Sequence, residues 1–256
     1  MLSVSRKIWG ITITQIYFPE ESFPFDPSID VVGITHSTIP MNGLIPIETL
    51  QKDLTKDVEE LFMDISKSTR KQIKQAQKDP NLKKFILVNP SNEEILQFRD
   101  FYNQFAKLKN TYCCTPFHVE TLKLLRDQNA LIITKIENID QQPLCYRVYV
   151  VNGKRSMPFY SASHYRLTND SNFKRLTSKA HRMLQWEDML YFKSKGYQIY
   201  DSGGLTNDIN IRNFKLEFGG KIITEYSGYL SYTFLGNLVL HVRQWNMSKK
   251  SRGVKH

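Results

Sequence analysis

The sequence predicts an α/β (α+β) fold in which a mixed sheet is flanked by helices. Three observations lead there. From Lys84 onward, apolar alternation and helical periodicity succeed one another as strand, helix, helix, three strands, helix, strand, helix and two strands. The three consecutive strands, 131–137, 144–151 and 156–162, are joined by short turns at Asp140-Gln141-Gln142 and Asn152-Gly153, a meander signature. A long helical pattern over 172–195 then separates this meander from the next strand, as a crossover connection does.

The elements follow in order. Residues 8–18 alternate and are β-branched, which reads as a strand, and Pro19, Pro24 and Pro27 break the pattern after it. A second extended segment covers 31–39; Gly43 and Pro46 mark a loop, and 47–57 reads as helical. A helix is expected over 64–78, with Ile65, Ile73 and Ala76 on one side. Residues 84–88 form a short strand. Ser91 with Glu94 three residues on is a capping box for a helix to 107, and Thr115-Pro116 opens another. Gly196 suits the end of the long helix, 197–200 is a strand, and 208–218 is a short helix stopped by Gly219-Gly220. A last hairpin, 221–226 with 229–234, is expected around Ser227-Gly228, followed by a frayed basic tail over 247–256. The expected domains are an N-terminal partial domain, 1–80, a main domain, 81–240, and the tail, 241–256.

Composition narrows the function. The chain has 256 residues, 41% hydrophobic and 23% charged, enough for a sizeable core. Lys and Arg number 35 against 25 Asp and Glu, a net charge of +10. That favours an anionic partner, such as nucleic acid, a nucleotide, a pyrophosphate lipid or an acidic membrane surface, or serves solubility alone. Three cysteines, Cys113, Cys114 and Cys145, without a C-x-x-C pair exclude a disulfide scaffold, a zinc ribbon and a thioredoxin-like site. No histidine pair has metal-ligand spacing, so no metal is expected. No apolar run approaches the ~18 residues of a membrane span and no secretory signal is evident, so a cytoplasmic protein is expected.

Part of the charge is organised. Lys67, Arg70, Lys71, Lys74 and Lys78 fall on one helical stripe about 100° wide. The stripe is either a phosphate-binding face or a solvated one.

Family-specific motifs lie further on. Leu184-Gln185-Trp186-Glu187 is followed by Gly196-Tyr197, Tyr200-Asp201-Ser202-Gly203-Gly204 and Phe214-Lys215-Leu216-Glu217-Phe218-Gly219-Gly220. Upstream, Ser66, Arg70, Ile73 and Ala76 fit S-x-x-x-R-x-x-I-x-x-A. This series resembles the FemABX-like branch of the Gcn5-related N-acetyltransferase (GNAT) superfamily, the aminoacyltransferases that build peptidoglycan cross-bridges. The resemblance covers about 66–232 and implies a GNAT-like mixed sheet, here with a short N-terminal β-containing extension. It implies an acyltransferase that moves an aminoacyl or acyl group to an amine of a cell-envelope precursor, for peptidoglycan or surface polysaccharide. No cofactor is held; the donor is aminoacyl-tRNA or acyl-CoA. The partners are the envelope precursor and tRNA, with peripheral membrane contact as a further option. FemABX proteins usually carry two acetyltransferase-like halves, whereas only about 80 residues precede this domain. The stretch 161–174, where acetyltransferases hold the coenzyme A pyrophosphate in a glycine-containing loop, has no glycine, which favours aminoacyl-tRNA.

The resemblance makes Lys215 the first catalytic candidate, a cation for the oxyanion of acyl transfer. Asp201, read as lying in a loop after a strand, either takes a proton from the attacking ammonium or caps a turn. Phe214 walls the donor site or belongs to the core. Tyr160, Ser163 and His164, at the end of the third meander strand, are candidate substrate contacts, as are Arg70, Lys71 and Lys74 on the basic stripe. Two alternatives stay open: an acetyl-CoA-dependent N-acetyltransferase acting on an amino sugar, and a non-catalytic GNAT-fold module that binds nucleic acid.

Overall fold

The computed structural model of the chain describes residues 1–23 and 26–252, the last seven of them as backbone. Pro24, expected to break the chain, and the final part of the expected tail, 253–256, lie outside the described residues. Packing divides the chain into two compact units: Met1–Glu48 with Thr224–His256, and Thr49–Ile223.

The first unit is a small sheet. Strands β1 (Leu2–Ile8) and β2 (Ile11–Tyr17) form a hairpin whose two turn residues, Trp9 and Gly10, both have positive φ. This is a turn whose twist matches the strands. The sequence pattern predicts a strand only over 8–18, because Trp9 is not a residue that advertises such a turn. Strand β3 (Val31–Ser37) runs parallel to β2 and antiparallel to the end of a long later strand, β10 (Lys221–Leu230). The hairpin expected around Ser227-Gly228 is therefore absent. Strand β10 continues through a register shift between Tyr226 and Gly228 and is followed by helix α7 (Phe234–Arg252). A Cβ at position 228 would stand 3.2 Å from the Gly43 carbonyl, so the glycine there allows a close approach instead of a reversal.

The second unit holds a mixed sheet in the order β4 (Ile45–Asp53), β9 (Ile199–Gly204), β8 (Arg155–Ser163), β7 (Pro143–Asn152), β6 (Leu131–Glu137) and β5 (Lys83–Val88). All neighbours are antiparallel except β8 and β9, joined by the crossover helix α5 (Ser171–Ser194). Segment 47–57, expected as helix, is strand to Asp53: Gln51 and Lys52 stand opposite Asp201 and Tyr200 of β9. Leu50, Lys52 and Leu54 alternate inward, but a lysine at a buried position hides that period from the sequence. The helix expected over 64–78 is α2 (Lys67–Gln77), which starts three residues later because Ser66 caps it, and a separate short helix, α1 (Val58–Met63), precedes it.

Helices α3 (Asn92–Lys109) and α4 (Pro116–Asp127) begin as read, α3 with the Ser91–Glu94 capping box in place. Helices α2 and α5 pack on one another, and the core beneath them joins Ile73, Trp186, Met189 and Phe192 to Tyr149, Tyr200 and Phe218. About 25 cal/mol per Å² of apolar surface drives this burial.

Candidate active site

The ladder between parallel strands β8 and β9 pairs Arg155 with Ile199 and Ser156 with Tyr200. It goes no further, although β8 runs on to Ser163 and β9 to Gly204. Pro158 has no N–H to give, and a register shift on β8 places Tyr149 opposite Pro158 but Val148 opposite Tyr160. Two adjacent parallel strands thus lose their pairing towards their C-terminal ends, where ligands bind in open α/β sheets.

Lys215, from helix α6 (Ile209–Leu216), reaches this point. Its Nζ donates to the Gly204 carbonyl at 2.6 Å. Burial pulls its pKa down to about 8; Asp201 opposes that shift and Arg147 adds to it. Lys52, from β4, lies on the same strand end, donating to Ser202 Oγ at 2.6 Å. It is 3% exposed, and burial lowers its pKa to about 7, with Asp201 opposing and Arg147 and Lys215 reinforcing the shift.

Arg147 completes a basic cluster. It contacts Gln185 Oε1 at 2.7 Å, Tyr200 OH at 3.3 Å and His181 Nε2 at 3.3 Å. His181 is held neutral, its pKa pushed well below the usual range by burial and by Arg147 and Arg182. Its Nε2 is 3.0 Å from Ser161 Oγ, and its ring stacks on Phe214 at 4.9 Å. Lys52, Arg147, Ser161 and His181 were not singled out in the sequence. They come from four elements and no local pattern links them.

Asp201 stands inside β9, not in a loop after a strand, and is fully buried. Both its oxygens are engaged. Oδ1 accepts from Thr49 Oγ1 and from the Gly203 N–H at 2.6 Å; Oδ2 accepts from Arg155 and from Gln51 Nε2 at 3.3 Å. The carboxylate therefore shapes the Ser202-Gly203-Gly204 end of the strand to which Lys215 is tied.

The residues after Lys215 lock the helices. Glu217 pairs with Arg182 of α5 at 2.9 Å and accepts from Thr69 of α2 at 2.8 Å. Phe218 is buried, and Gly219 and Gly220 have φ of +68° and +112°. A Cβ on either would lie 2.7 Å from the Asp64 carbonyl oxygen or 2.6 Å from that of Gln51.

The remaining expected residues lie elsewhere. Ser161 stands opposite Arg147, on the α5 side, so its neighbour Tyr160 faces the other side of the sheet. There Tyr160 packs on Phe98 and Tyr102, and His164 stacks 3.6 Å from Phe101 while donating to the Phe101 carbonyl. Ser163 precedes a single 3-10 turn, His164–Arg166.

Lys67, Arg70, Lys71, Lys74 and Lys78 line a surface groove of about 330 Å³. Arg70 is partly committed, donating to the carbonyls of Met63 and Ile65. Thr69, which meets Glu217, is on the opposite side of α2, so the stripe and Lys215 are not brought together.

No family model and no curated protein matches the chain. Solved structures do. The crystal structure of FemX aligns with a TM-score of 0.60 at 12% identity, covering 93% of this chain and 85% of that one. The fold is the GNAT-like fold of FemX. The same fold relates the chain to the C-terminal domain (DUF2156) of a putative lysylphosphatidylglycerol synthetase from Agrobacterium fabrum. That match has a TM-score of 0.54 at 12% identity, over 84% and 71% of the two chains. L-PGS from Bacillus licheniformis follows at 0.51 and 10%, over 84% and 72%. At these identities the likeness to FemX is one of fold, and it agrees with the resemblance carried by residues 66–232.

Proposed function

We propose that the chain is an acyltransferase that passes an aminoacyl group from an aminoacyl-tRNA to an amine of a cell-envelope precursor. One observation carries this reading. Lys215 is a half-buried cation fixed on the Gly204 carbonyl, where the β8–β9 ladder ends. An amine attacking an ester passes through a tetrahedral oxyanion, and a pre-placed ammonium in a poorly hydrated site stabilises that charge. Lys52 and Arg147 raise the positive potential at the same place.

The acceptor must lose a proton to form the amide. Asp201 has no free oxygen for it and serves as a positioning residue. His181, kept neutral by burial and by Arg147 and Arg182, resists taking that proton and serves to hold Ser161. The proton passes instead to the departing ester oxygen of the donor as the carbon–oxygen bond breaks.

The start of α5 favours the tRNA donor over coenzyme A. Its N-cap, Asp170, places its own carboxylate on the N–H groups of Asn172 and Phe173, at 3.0 and 3.3 Å. That negative charge occupies the donors which a pyrophosphate at the helix N-terminus would need. The groove of Lys67, Lys71, Lys74 and Lys78 suits the phosphates of a long polyanion that extends beyond the reacting ester.

The experiment is a donor screen with purified protein, mixed aminoacyl-tRNA, acetyl-CoA and longer acyl-CoAs, using amine acceptors from envelope precursors. Transfer from aminoacyl-tRNA supports the reading; transfer from an acyl-CoA alone contradicts it.

A further inference from the structure

The direction of the Ser161 hydroxyl is set by the groups behind it. A guanidinium has N–H donors and no acceptor. Arg147 Nη2 lies 3.3 Å from His181 Nε2, so Nε2 is the accepting nitrogen and the ring proton sits on Nδ1. Ser161 Oγ is 3.0 Å from the same Nε2. With no hydrogen on that nitrogen, the serine is the donor of this contact. Its hydrogen is therefore committed to His181, and its oxygen has only lone pairs left to offer. Ser161 is exposed, so those lone pairs are open to a ligand.

The arrangement is held from two sides. Tyr149 donates to Asp188 at 2.8 Å, so its oxygen takes the Tyr200 hydroxyl at 2.9 Å, and Tyr200 in turn accepts from Arg147 at 3.3 Å. Arg147 is thus fixed before it reaches His181. On the other side the Phe214 ring stacks on the imidazole, 4.9 Å away and within 12° of parallel. Phe214 is the neighbour of Lys215, so one ring contact relates the serine to the lysine. Ser161 lies on β8 beyond Ser156, where pairing to β9 has ended, and Lys215 is tied to the Gly204 end of β9.

A free amine has N–H groups to give and a lone pair to attack with. A hydroxyl free to donate would bond that lone pair and quench it. A hydroxyl whose hydrogen is spent elsewhere can only take the N–H. Lys52, Arg147 and Lys215 together also disfavour a bound ammonium over the neutral amine. We propose that Ser161 orients the attacking amine by accepting its N–H, with His181 as the positioning residue that keeps Ser161 an acceptor. The inference rests on the acyltransferase reading and adds the group that recognises the amine. The amine lone pair forms the new C–N bond, the ester C–O bond breaks, and the proton leaves with the departing oxygen. Ser161 neither gains nor loses a proton.

Two measurements test it. Nitrogen NMR of the full chain, isotope-labelled at its histidines and assigned with His181→Phe, is expected to show His181 as the Nδ1–H tautomer at neutral pH. A proton on Nε2 overturns the proposal. Transfer kinetics then use mixed aminoacyl-tRNA, acyl-CoAs and a lysine-containing peptide as the amine. Ser161→Ala is expected to keep the wild-type melting curve and the KM for the donor. It is expected to lose about tenfold in kcat/KM for the peptide amine, the scale of one hydrogen bond. Ser161→Thr keeps the hydroxyl and is expected to retain most of the wild-type value. His181→Phe is expected to lose as much as Ser161→Ala, and the double variant no more than either. Wild-type transfer with Ser161→Ala unaffected overturns this inference and leaves the acyltransferase reading standing. A folded wild-type protein that transfers from neither donor overturns that reading and this inference with it.

Discussion

Lys215 Nζ rests 2.6 Å from the carbonyl oxygen of Gly204, the last residue of β9. The contact fixes a cation where the parallel β8–β9 ladder has already ended. It also explains why the Y-D-x-G-G and F-K segments belong to one device: the first supplies the strand end and the second the ammonium tied to it.

The charge on Lys215 sets a pH limit. A lysine is cationic below its pKa, and burial brings this one down to about 8. Transfer is expected to decline above about pH 8 as Nζ loses its proton. Lys215→Arg keeps its charge to much higher pH, so its residual activity is expected to lack that alkaline limb. A pH–rate profile of both proteins checks this; identical limbs contradict the role.

Arg155 and Asp201 form a buried ion pair, both largely shielded from water. Arg155→Ala leaves the buried Asp201 carboxylate without its ion-pair partner, held only by Thr49, Gln51 and the Gly203 N–H, and is expected to cost about 3 kcal/mol. Arg155→Met with Asp201→Asn removes both charges while keeping an acceptor for Thr49 and the Gly203 N–H, and is expected to recover much of that loss. Urea denaturation of the single and double variants gives the comparison. A double variant less stable than Arg155→Ala argues against the pairing.

Gly220→Ala places a methyl group 2.6 Å from the Gln51 carbonyl at a φ of +112°. A loss of about 1–3 kcal/mol is expected from the backbone conformation alone, with the clash adding to it. An unchanged urea midpoint contradicts the close approach.

Lys52 links stability to pH. Its folded pKa, about 7, is below the ordinary value of 10.5. Between those values the unfolded chain holds the proton and the folded chain does not, so this group makes the protein more stable as pH rises. Below pH 7 both forms are protonated and the cost of burying the charge is complete. Lys52→Met is therefore expected to gain stability relative to wild type at pH 6, on the order of a few kcal/mol, and to lose most of that advantage by pH 10. Melts of both proteins across this range measure the difference; a constant offset contradicts the shift.

What the sequence reveals follows from how local the cause is. The start of α3 is legible because Ser91 and Glu94 satisfy each other's backbone within one turn. The meander is legible because its turns are short and its strands apolar. Strand β4 is not, since its burial depends on β9, about 150 residues later, and Lys52 interrupts its apolar pattern. Gly228 reads as a turn residue, and only Leu44 and Gly43 beside it make it a bulge. The site divides in the same way. Lys215 stands out by its motif, but Arg147 and His181 are single residues in a strand and a helix until β7 and α5 pack together. Asp201 was visible as a residue, yet its commitment to Thr49, Gln51, Arg155 and Gly203 was not.

The most direct test of the central claim is transfer from mixed aminoacyl-tRNA to an envelope-precursor amine, measured for wild type and Lys215→Ala, with the fold of each verified by its melting curve. The expected result is wild-type transfer and a loss on the order of 10²–10³ in rate for the variant, the scale of removing one oxyanion-stabilising group. A folded Lys215→Ala protein that transfers at the wild-type rate contradicts the account.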